Sequence, residues 1–240
     1  MPRGAVVFGA RNLGRAVIDT LVADGWKVAG AARSDSTLDG VTEAGALALR
    51  TDVTDPDNVR DTLAEAAGEI GEIGLVVNAA AAYGGSRGGG HFGGGPILEA
   101  GLDDFDSWTA APARAAYSFL NGAGRFVVEQ GGPATLIQVT GGSARRAMAG
   151  RGLWAAGSFG VRAITNAAAL ELRPRGIQVG LLVVDAGIAP LDGSSRPGMD
   201  PSAMADAHQI TDAVLFLANQ GSQAATHEIV VTPLAETWVP

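Results

Sequence analysis

The chain has no cysteine and only one lysine, Lys27, among its 240 residues. The missing cysteines exclude disulfide bonds, a thiolate nucleophile and a thiolate metal site, and no other grouping of residues in the sequence indicates a metal. Aromatic residues make up only 5% of the sequence, and Tyr83 and Tyr117 are its two phenols. Any chemistry that requires a lysine ammonium group therefore depends on Lys27 alone.

Positive charge and long apolar runs are also scarce. The net charge is −8 and the pI is about 4.8, which argues against nucleic acid as a main partner, because phosphate backbones require a basic surface. No apolar run approaches the roughly 18 residues of a membrane helix. Residues 1–4 lead directly into an apolar run at 5–8, so we expect no signal peptide. These features predict a cytoplasmic protein without nucleic-acid or membrane partners.

The dominant pattern of the chain is an alternation of buried strands and amphipathic helices. Its 47% hydrophobic residues and 35 glycines are typical of a sheet that is buried on both faces and joined by tight turns. Strands are predicted at 5–8, 27–32, 46–49, 75–78, 136–140, 177–184 and 228–232, and helices at 15–24, 56–67, 103–129, 153–172 and 203–219. We therefore predict an α/β fold: a single domain over residues 1–240, with a Rossmann-type, doubly wound parallel sheet of about seven strands and helices on both faces.

Two segments are predicted to be loops. Eight of the twelve residues 84–95 are glycine, which have no side chains to pack and a high cost of ordering, so we expect a mobile loop there. Residues 185–202 are rich in Gly, Pro, Ser and Asp and indicate a loop or lid. Both follow the carboxyl ends of strands, where α/β sheets bind their ligands.

A glycine-containing turn follows the first strand, with the sequence Gly9-Ala10-Arg11-Asn12-Leu13-Gly14, and opens the first helix. Backbone N–H groups at such a helix start attract a pyrophosphate. We therefore predict that Gly9, Arg11, Asn12, Leu13 and Gly14 contact the phosphates of a dinucleotide.

Three further segments resemble the short-chain dehydrogenase/reductase family over nearly the whole chain. Asp52-Val53 and Asn78-Ala79-Ala80 are similar to the family's Asp-Val and Asn-Ala-Gly motifs, and residues 153–179 resemble the helix, turn and strand around its catalytic pair. The glycine turn is one residue shorter than the family's Thr-Gly-x-x-x-Gly-x-Gly, with Asn12 near the middle glycine. The resemblance implies a nicotinamide dinucleotide whose adenine amino group binds Asp52; the alternative for Asp52 is an acid at a helix N-terminus.

The end of the second strand predicts which nicotinamide dinucleotide is bound. Ala31-Ala32-Arg33 offers no acid for the ribose hydroxyls of NAD, but it offers a guanidinium suited to the 2′-phosphate of NADP. Arg11 adds a second positive charge, as in the NADP-preferring branch of the family. We therefore predict NADP(H) in preference to NAD(H). The alternative is that Arg33 is a solvated surface residue, with Asp35 as a nearby partner.

The family's catalytic residues have no counterpart at the matching positions. In the family a Tyr donates a proton, a Lys four residues later lowers its pKa, a Ser orients the substrate oxygen and an Asn supports a proton relay. These positions fall on Trp154, Ser158, Gly141 and Ala115, respectively. No other register supplies the pair, because Lys27 is the only lysine. Trp154 is expected to line the core or the cleft, or to stack on a flat ring, and Ser158 to pack or to bind ribose.

Four other side chains are candidates for an altered chemistry. Asp185 follows the sixth strand, where the family has Pro-Gly; Ser143 lies two residues after the family's Ser position; and His91 and Tyr83 belong to the glycine-rich loop. Simpler interpretations remain open, with Asp185 as a loop cap and His91 as an exposed residue.

Three functional hypotheses follow. The first is an NADP(H)-binding protein without the usual carbonyl-reductase residues, in a non-catalytic, sensing or partner role, assembled as a homo-oligomer (dimer or tetramer) as family members commonly are. The second is an atypical NADP-dependent oxidoreductase or a non-redox enzyme that acts on an unknown small molecule, with Asp185 or water as the proton source. The third is a scaffold whose shortened turn closes the phosphate site. Arg145 and Arg146, after the fifth strand, either bind an acidic ligand or are solvated.

Overall fold

A computed structural model describes residues 3–80, 91–194, 200 and 203–236. Its centre is a seven-stranded parallel sheet with the strand order β3-β2-β1-β4-β5-β6-β7. The strands are β1 Gly4–Phe8, β2 Lys27–Ala32, β3 Leu47–Arg50, β4 Ile73–Asn78, β5 Ala134–Gly141, β6 Ile177–Val184 and β7 Glu228–Val231. This sheet confirms the predicted Rossmann-type fold.

Helices cover both faces of the sheet. They are α1 Leu13–Ala23, α2 Asp35–Glu43, α3 Pro56–Ile70, α4 Leu102–Phe105, α5 Ala111–Gln130, α6 Gly152–Leu172 and α7 Ala207–Ala218. Helices α3, α5 and α6 bury one hydrophobic core, which includes Leu63 and Phe119. Helices α1, α2 and α7 bury the other, which includes Ile18 and Ile210. The confirmed fold thus has two apolar layers on one sheet.

The central strands β1 and β4 are nearly continuous apolar runs because successive side chains face opposite cores. In β4, Val76 packs in the core of α3 and α5, whereas Leu75 and Val77 pack in the core of α1 and α7. Strand β1 pairs with both β2 and β4. The chain therefore continues from β1 towards one edge of the sheet through β2 and β3, and then returns to the other side of β1 at β4. This reversal opens a crevice at the carboxyl ends of β1 and β4, where such sheets bind ligands.

A close contact at Gly157 determines the position of the segment that precedes α5. A Cβ at Gly157 of α6 would collide with the carbonyl oxygen of Trp108 and would lie 2.8 Å from Cγ of Pro112. The missing side chain lets α6 approach the single π-helical turn Asp106–Ala110, in which Trp108 is buried. The packing of α6 therefore determines where Trp108 lies.

The observed helices differ from the predictions in three main respects. Helix α2 was not predicted, because Val41 is its one fully buried residue and its apolar stripe is too thin to recognise. Helix α7 begins at Ala207 rather than 203, since the carboxylate of Asp206 accepts a hydrogen bond from the Gln209 N–H at 3.0 Å and caps the helix. The predicted helix at 103–129 is interrupted by the π-helical turn, and Pro112 lies in the first turn of α5, where a missing N–H costs little.

Candidate functional site

The turn after β1 and the turn after β4 are in backbone contact at the crevice. Gly9 has a φ of 81°, and a Cβ there would collide with the backbone nitrogen of Ala80. A Cβ at Gly14 would collide with the carbonyl oxygen of Gly9 and lie 3.5 Å from Cβ of Ala79. Both positions therefore require glycine. The structure brings together the predicted cofactor residues Gly9, Gly14, Ala79 and Ala80.

Asn78 shapes the turn after β4. Its side chain is buried, with Nδ2 donating to Oε1 of Gln138 at 2.9 Å and Oδ1 accepting from the Ala80 N–H at 3.2 Å. The Ala79 N–H in turn donates to the carbonyl oxygen of Phe8 at 2.9 Å. Asn78 therefore uses its amide to hold this turn beside the glycine turn, rather than presenting it to a ligand.

Asn12 connects the glycine turn to the segment after β6. It is the one non-glycine residue of the described chain with a φ in the range that favours glycine, at 43°, and its ψ of −109° lies outside the left-handed helical region that asparagine tolerates. Its Oδ1 accepts a hydrogen bond from the Leu191 N–H at 3.0 Å. Next to it, Leu13 is buried and Arg11 is exposed, so within the turn Arg11 is the side chain that is free to contact an anion in solution.

Asp52 and Arg33 lie at the carboxyl ends of neighbouring strands, β3 and β2. The Oδ1 atom of Asp52 accepts from the N–H and hydroxyl of Thr54 at 3.0 and 2.8 Å, and Oδ2 lies 3.9 Å from Nη1 of Arg33. Burial raises the pKa of Asp52, but the hydrogen bonds from Thr54 and the charge of Arg33 outweigh it and hold the pKa below its ordinary value. Asp52 is thus an ionised acceptor, and the adjoining Val53 packs against the core.

Asp35, the acid expected as a nearby partner of Arg33, is paired with Arg50 instead. Arg50 also donates from Nη1 to the carbonyl oxygen of Arg33 at 2.5 Å. The Arg33 side chain is 75% exposed and its guanidinium is paired with Asp52 only loosely. An open groove of about 430 Å³ adjoins these residues, lined by Arg33, Arg50, Thr51, Asp52, Asn58, Asp61, Thr62 and Glu65.

Two of the four positions matched to the family's catalytic residues are neighbours. A Cβ at Gly141, the last residue of β5, would lie 3.6 Å from Cζ2 of Trp154 in α6. Ser158, one turn further along α6, is fully buried, and its hydroxyl has no hydrogen-bond partner within the described residues. Ala115 is buried in α5. The indole therefore occupies the space beside Gly141.

Trp154 belongs to an aromatic cluster that we define as Phe92, Trp108 and Trp154. The ring centroids of Phe92 lie 5.2 Å from Trp108 and 4.9 Å from Trp154, and those of the two tryptophans are 6.3 Å apart, all edge-to-face. The guanidinium of Arg151 lies 5.3 Å from the Phe92 ring centroid and 6.0 Å from that of Trp154. Sequence reasoning missed Phe92 and Arg151; the available signal was Arg151 three residues before Trp154, a spacing that places side chains on one helix face.

Asp185 follows β6, is buried, and is paired with Arg146. Nη1 of Arg146 lies 2.9 Å from Oδ2 of Asp185, and Nη2 donates to Oδ1 at 3.2 Å. A Cβ at Gly142 would collide with the Asp185 carboxylate, so the acid lies directly against the residue that follows Gly141. Burial raises the pKa of Asp185 above its ordinary value, and the charge of Arg146 only partly offsets it.

The remaining candidates are Ser143, His91 and Tyr83. Ser143 is buried, and His91 is exposed, with Nε2 at 3.6 Å from Oε2 of Glu99. Tyr83, with residues 81–90 of the predicted glycine loop, lies outside the described residues. Arg145 is not simply solvated, since its Nη1 lies 2.5 Å from Oε1 of Glu228.

The described part of the chain contains neither a candidate metal site nor a candidate membrane span. No group of three or more His, Asp or Glu side chains there could hold a metal ion. None of its helices combines the length and apolar character needed to cross a membrane.

The parallel sheet and the glycine turn at its crevice define a Rossmann-type α/β protein. Residues 7–232 match the family model described as enoyl-(acyl carrier protein) reductase. The chain therefore belongs to the short-chain dehydrogenase/reductase family.

Two relatives are similar to part of the chain. A short-chain dehydrogenase/reductase of Armillaria gallica is 28% identical over 187 residues, which are 74% of this chain and 68% of that protein. The 3-oxoacyl-[acyl-carrier-protein] reductase of Salmonella typhimurium is 38% identical over 78 residues, only 31% of this chain and 32% of that protein.

Solved structures with this fold cover nearly the whole chain at low identity. A short-chain oxidoreductase from Pseudomonas aeruginosa, described as containing an atypical catalytic centre, has a TM-score of 0.79 and 18% identity, and covers 99% of this chain and 98% of its own. A metagenomic short-chain oxidoreductase in complex with NADP has a TM-score of 0.73 and 23% identity, with 98% of each chain covered. At these low sequence identities, the structural similarity shows a shared fold and no more.

Proposed function

We propose that this chain is an NADP(H)-binding member of its family that lacks the usual carbonyl-reductase residues and has a sensing or partner role. The main observation behind this proposal is a contrast between the predicted phosphate-binding turn and the positions of the family's catalytic residues. The backbone cradle of Gly9, Gly14 and Ala80 leaves no room for a Cβ, as a phosphate-binding turn requires. By contrast, Gly141 and Trp154 stand where the resemblance to the family places hydroxyl donors, and an indole N–H does not release a proton at any usable pH.

The residues present fit a nicotinamide dinucleotide. The turn from Gly9 to Gly14, including Arg11, Asn12 and Leu13, would hold the pyrophosphate. Asp52 is ionised and oriented by Thr54, as an acceptor for the adenine amino group should be. Asn78 keeps Ala79 and Ala80 in place beside the turn. The group would supply hydride chemistry when bound; the protein residues named here bind and orient it.

Arg33 supports NADP(H) over NAD(H). Its exposed guanidinium has only a distant carboxylate partner, and a dianionic 2′-phosphate would form shorter charge-assisted hydrogen bonds with it. The family relative solved with NADP is consistent with this choice.

The test is a titration of the protein with NADPH and NADH, followed by tryptophan fluorescence and by calorimetry. We expect Arg33→Ala to weaken NADPH binding about ten-fold or more and to change NADH binding little, since one charged hydrogen bond is lost only with the phosphate. Arg175→Ala, an exposed arginine at the amino end of β6, is the matched control. Equal losses for both nucleotides would refute the NADP assignment, and affinities weaker than millimolar for both would favour the scaffold hypothesis.

A second candidate function rests on Asp185. This carboxyl group is buried against Gly142 and its pKa is raised by burial, which is the direction that a general acid requires. The alternative is thus an atypical NADP-dependent oxidoreductase, or a non-redox enzyme, that uses Asp185 as the proton donor. Steady NADPH oxidation with a panel of aldehydes, ketones and quinones, lost in Asp185→Asn, would replace the first proposal with this one.

We also propose a homo-oligomer, dimer or tetramer, formed through α5, α6 and β7. Apolar side chains are exposed on both long helices, namely Tyr117 on α5 and Phe159 and Leu170 on α6. Light scattering coupled to gel filtration measures the mass directly, and a monomer at micromolar concentration would contradict the proposal. The cytoplasmic location and the single domain over residues 1–240 stay predictions.

A further inference from the structure

Arg151 is an exposed residue whose side chain packs against Phe92, Trp154 and Gly93. Its guanidinium lies over the rings of Phe92 and Trp154, and its aliphatic stem packs against Gly93, where a Cβ would stand 2.9 Å from Cγ of Arg151. Cation–π contacts of this kind orient a guanidinium without neutralising it. The side chain is therefore placed in advance, and a ligand that binds it pays little ordering entropy.

The charge of Arg151 has no acidic counterpart in the described part of the chain. Arg145 and Arg146 are ion-paired with Glu228 and Asp185, respectively, but no ion pair of the described residues includes Arg151. An unpaired guanidinium attracts an anion more strongly than one that must first leave a carboxylate.

The position of Arg151 in α6 adds to this positive potential. Arg151 is the N-cap residue of a 21-residue helix and makes no side-chain cap hydrogen bond. The N-terminal end of a helix carries a partial positive charge, so a cation there is mildly unfavourable unless an anion is present. The helix dipole therefore does not account for an arginine at this position, and it adds to the attraction for an anion.

Apolar surface surrounds this cation. Phe92 is 57% exposed and Met148 is 39% exposed, and the Met148 carbonyl accepts the Arg151 N–H at 3.0 Å. The same Trp154 ring that contacts Arg151 also lies beside Gly141. A ligand on this surface would thus combine an anionic group with an apolar body and lie beside the position of the family's catalytic Ser.

We propose that Arg151, Phe92 and Trp154 form a binding site for a small carboxylate with an apolar body. The guanidinium donates two parallel hydrogen bonds to the carboxylate, and the body packs on Phe92 and Met148. The inference rests on the proposed function only in placing this ligand in the crevice of the bound nucleotide. It names the class of small molecule that the protein recognises.

The experiment compares ligands that share a body and differ in charge. Isothermal titration with 2-naphthoate, 2-naphthalenemethanol and 2-naphthylmethylamine should show the carboxylate binding about ten-fold tighter than the alcohol, and the amine weakest, as expected for one charge-assisted hydrogen-bond pair. Decanoate serves as a second carboxylate and shows whether the body is aromatic or aliphatic. Equal affinities for naphthoate and the alcohol would overturn the proposal.

Variants separate the charge from the apolar contact. Arg151→Gln keeps the stem and should abolish the preference for the carboxylate, and Arg151→Lys should keep part of it; Arg175→Gln, the matched loss of an exposed arginine, should preserve it. Phe92→Ala should weaken the acid and the alcohol by the same factor. Circular dichroism melting verifies the fold of each variant. A carboxylate preference that survives Arg151→Gln would contradict the assignment.

The same samples titrated with NADPH keep the two proposals apart. If NADPH does not bind but the carboxylate preference is present and depends on Arg151, the proposed nucleotide function fails and this inference stands. If NADPH binds and no carboxylate preference exists, this inference fails alone.

Discussion

Cζ2 of Trp154 lies 3.6 Å from the point that a Cβ would occupy at Gly141. The end of β5 and the first turn of α6 are therefore adjacent, as the alignment with the family requires for its Ser and Tyr. This adjacency supports the proposed match of positions. It also shows that a larger side chain at residue 141 would meet the indole at an ordinary van der Waals distance.

The first prediction concerns restored chemistry. A variant with Gly141→Ser, Trp154→Tyr and Ser158→Lys supplies a hydroxyl, a phenol and a cation one helical turn apart. We expect it to oxidise NADPH with small ketones at least about 10²-fold faster than Trp154→Tyr alone, because a phenol with a pKa of about 10 is a poor acid until a cation lowers that pKa. Absorbance at the NADPH band measures the rate.

The control for this variant addresses burial. Ser158 is fully buried, so the same triple variant with Ser158→Met carries a long side chain without the charge. Circular dichroism should show both folded, and only the lysine variant should turn over substrate. Equal rates in the two variants would contradict the proposed match of positions.

The second prediction tests the glycine turn. Gly9→Ala should lower the free energy of unfolding by more than about 2 kcal/mol and abolish NADPH binding, since it combines a positive φ with a collision at Ala80. Gly25→Ala is the matched control, because Gly25 has a φ of 80° and nothing within 4 Å of its Cβ position. Its cost should be about 1 kcal/mol, with NADPH binding unchanged. Urea unfolding and calorimetry measure both quantities.

The sequence predicted the sheet better than it predicted the helices. The bounds of β2 and β6 match the predictions. Both strands are mostly apolar and buried on both faces, and they begin one or two residues after a glycine with positive φ, Gly25 and Gly176. Helix α2 was missed because burial of Val41 alone leaves no clear period. The interruption before α5 depends on the contact of Gly157 with Trp108, which no local pattern encodes.

The site could be predicted only where it depends on residues that follow strands. Gly9, Asp52 and Asn78 are recognisable because each lies at the carboxyl end of a strand or within two residues of it, and therefore at the edge of the sheet that binds ligands. The pairs Asn12–Leu191 and Arg146–Asp185 are 179 and 39 residues apart in the chain. Their contact is a product of tertiary packing, and neither partner carries a local signal for the other.

The third prediction concerns the turn after β4. Asn78→Ala removes two hydrogen bonds and leaves the buried Oε1 of Gln138 without its donor. We expect a loss of about 2–3 kcal/mol in the free energy of unfolding and weaker NADPH binding, because Ala80 is no longer held beside Gly9. Asn58→Ala on the exposed face of α3 should change stability by less than about 0.5 kcal/mol. A loss at Asn78 no larger than at Asn58 would contradict the role assigned to this amide.

The fourth prediction is the pH dependence of stability, in which Asp185 and Asp52 have opposite signs. The folded state raises the pKa of Asp185, so the native protein binds more protons than the unfolded chain between the ordinary pKa and the raised one. The free energy of unfolding then falls as pH rises through that window, and Asp185→Asn should remove this fall. The pKa of Asp52 is lowered, so its contribution is present above the ordinary pKa and is lost as pH falls below it. Urea unfolding of wild type, Asp185→Asn and Asp52→Asn from about pH 3 to pH 7 measures both slopes, and parallel curves for wild type and Asp185→Asn would refute a raised pKa.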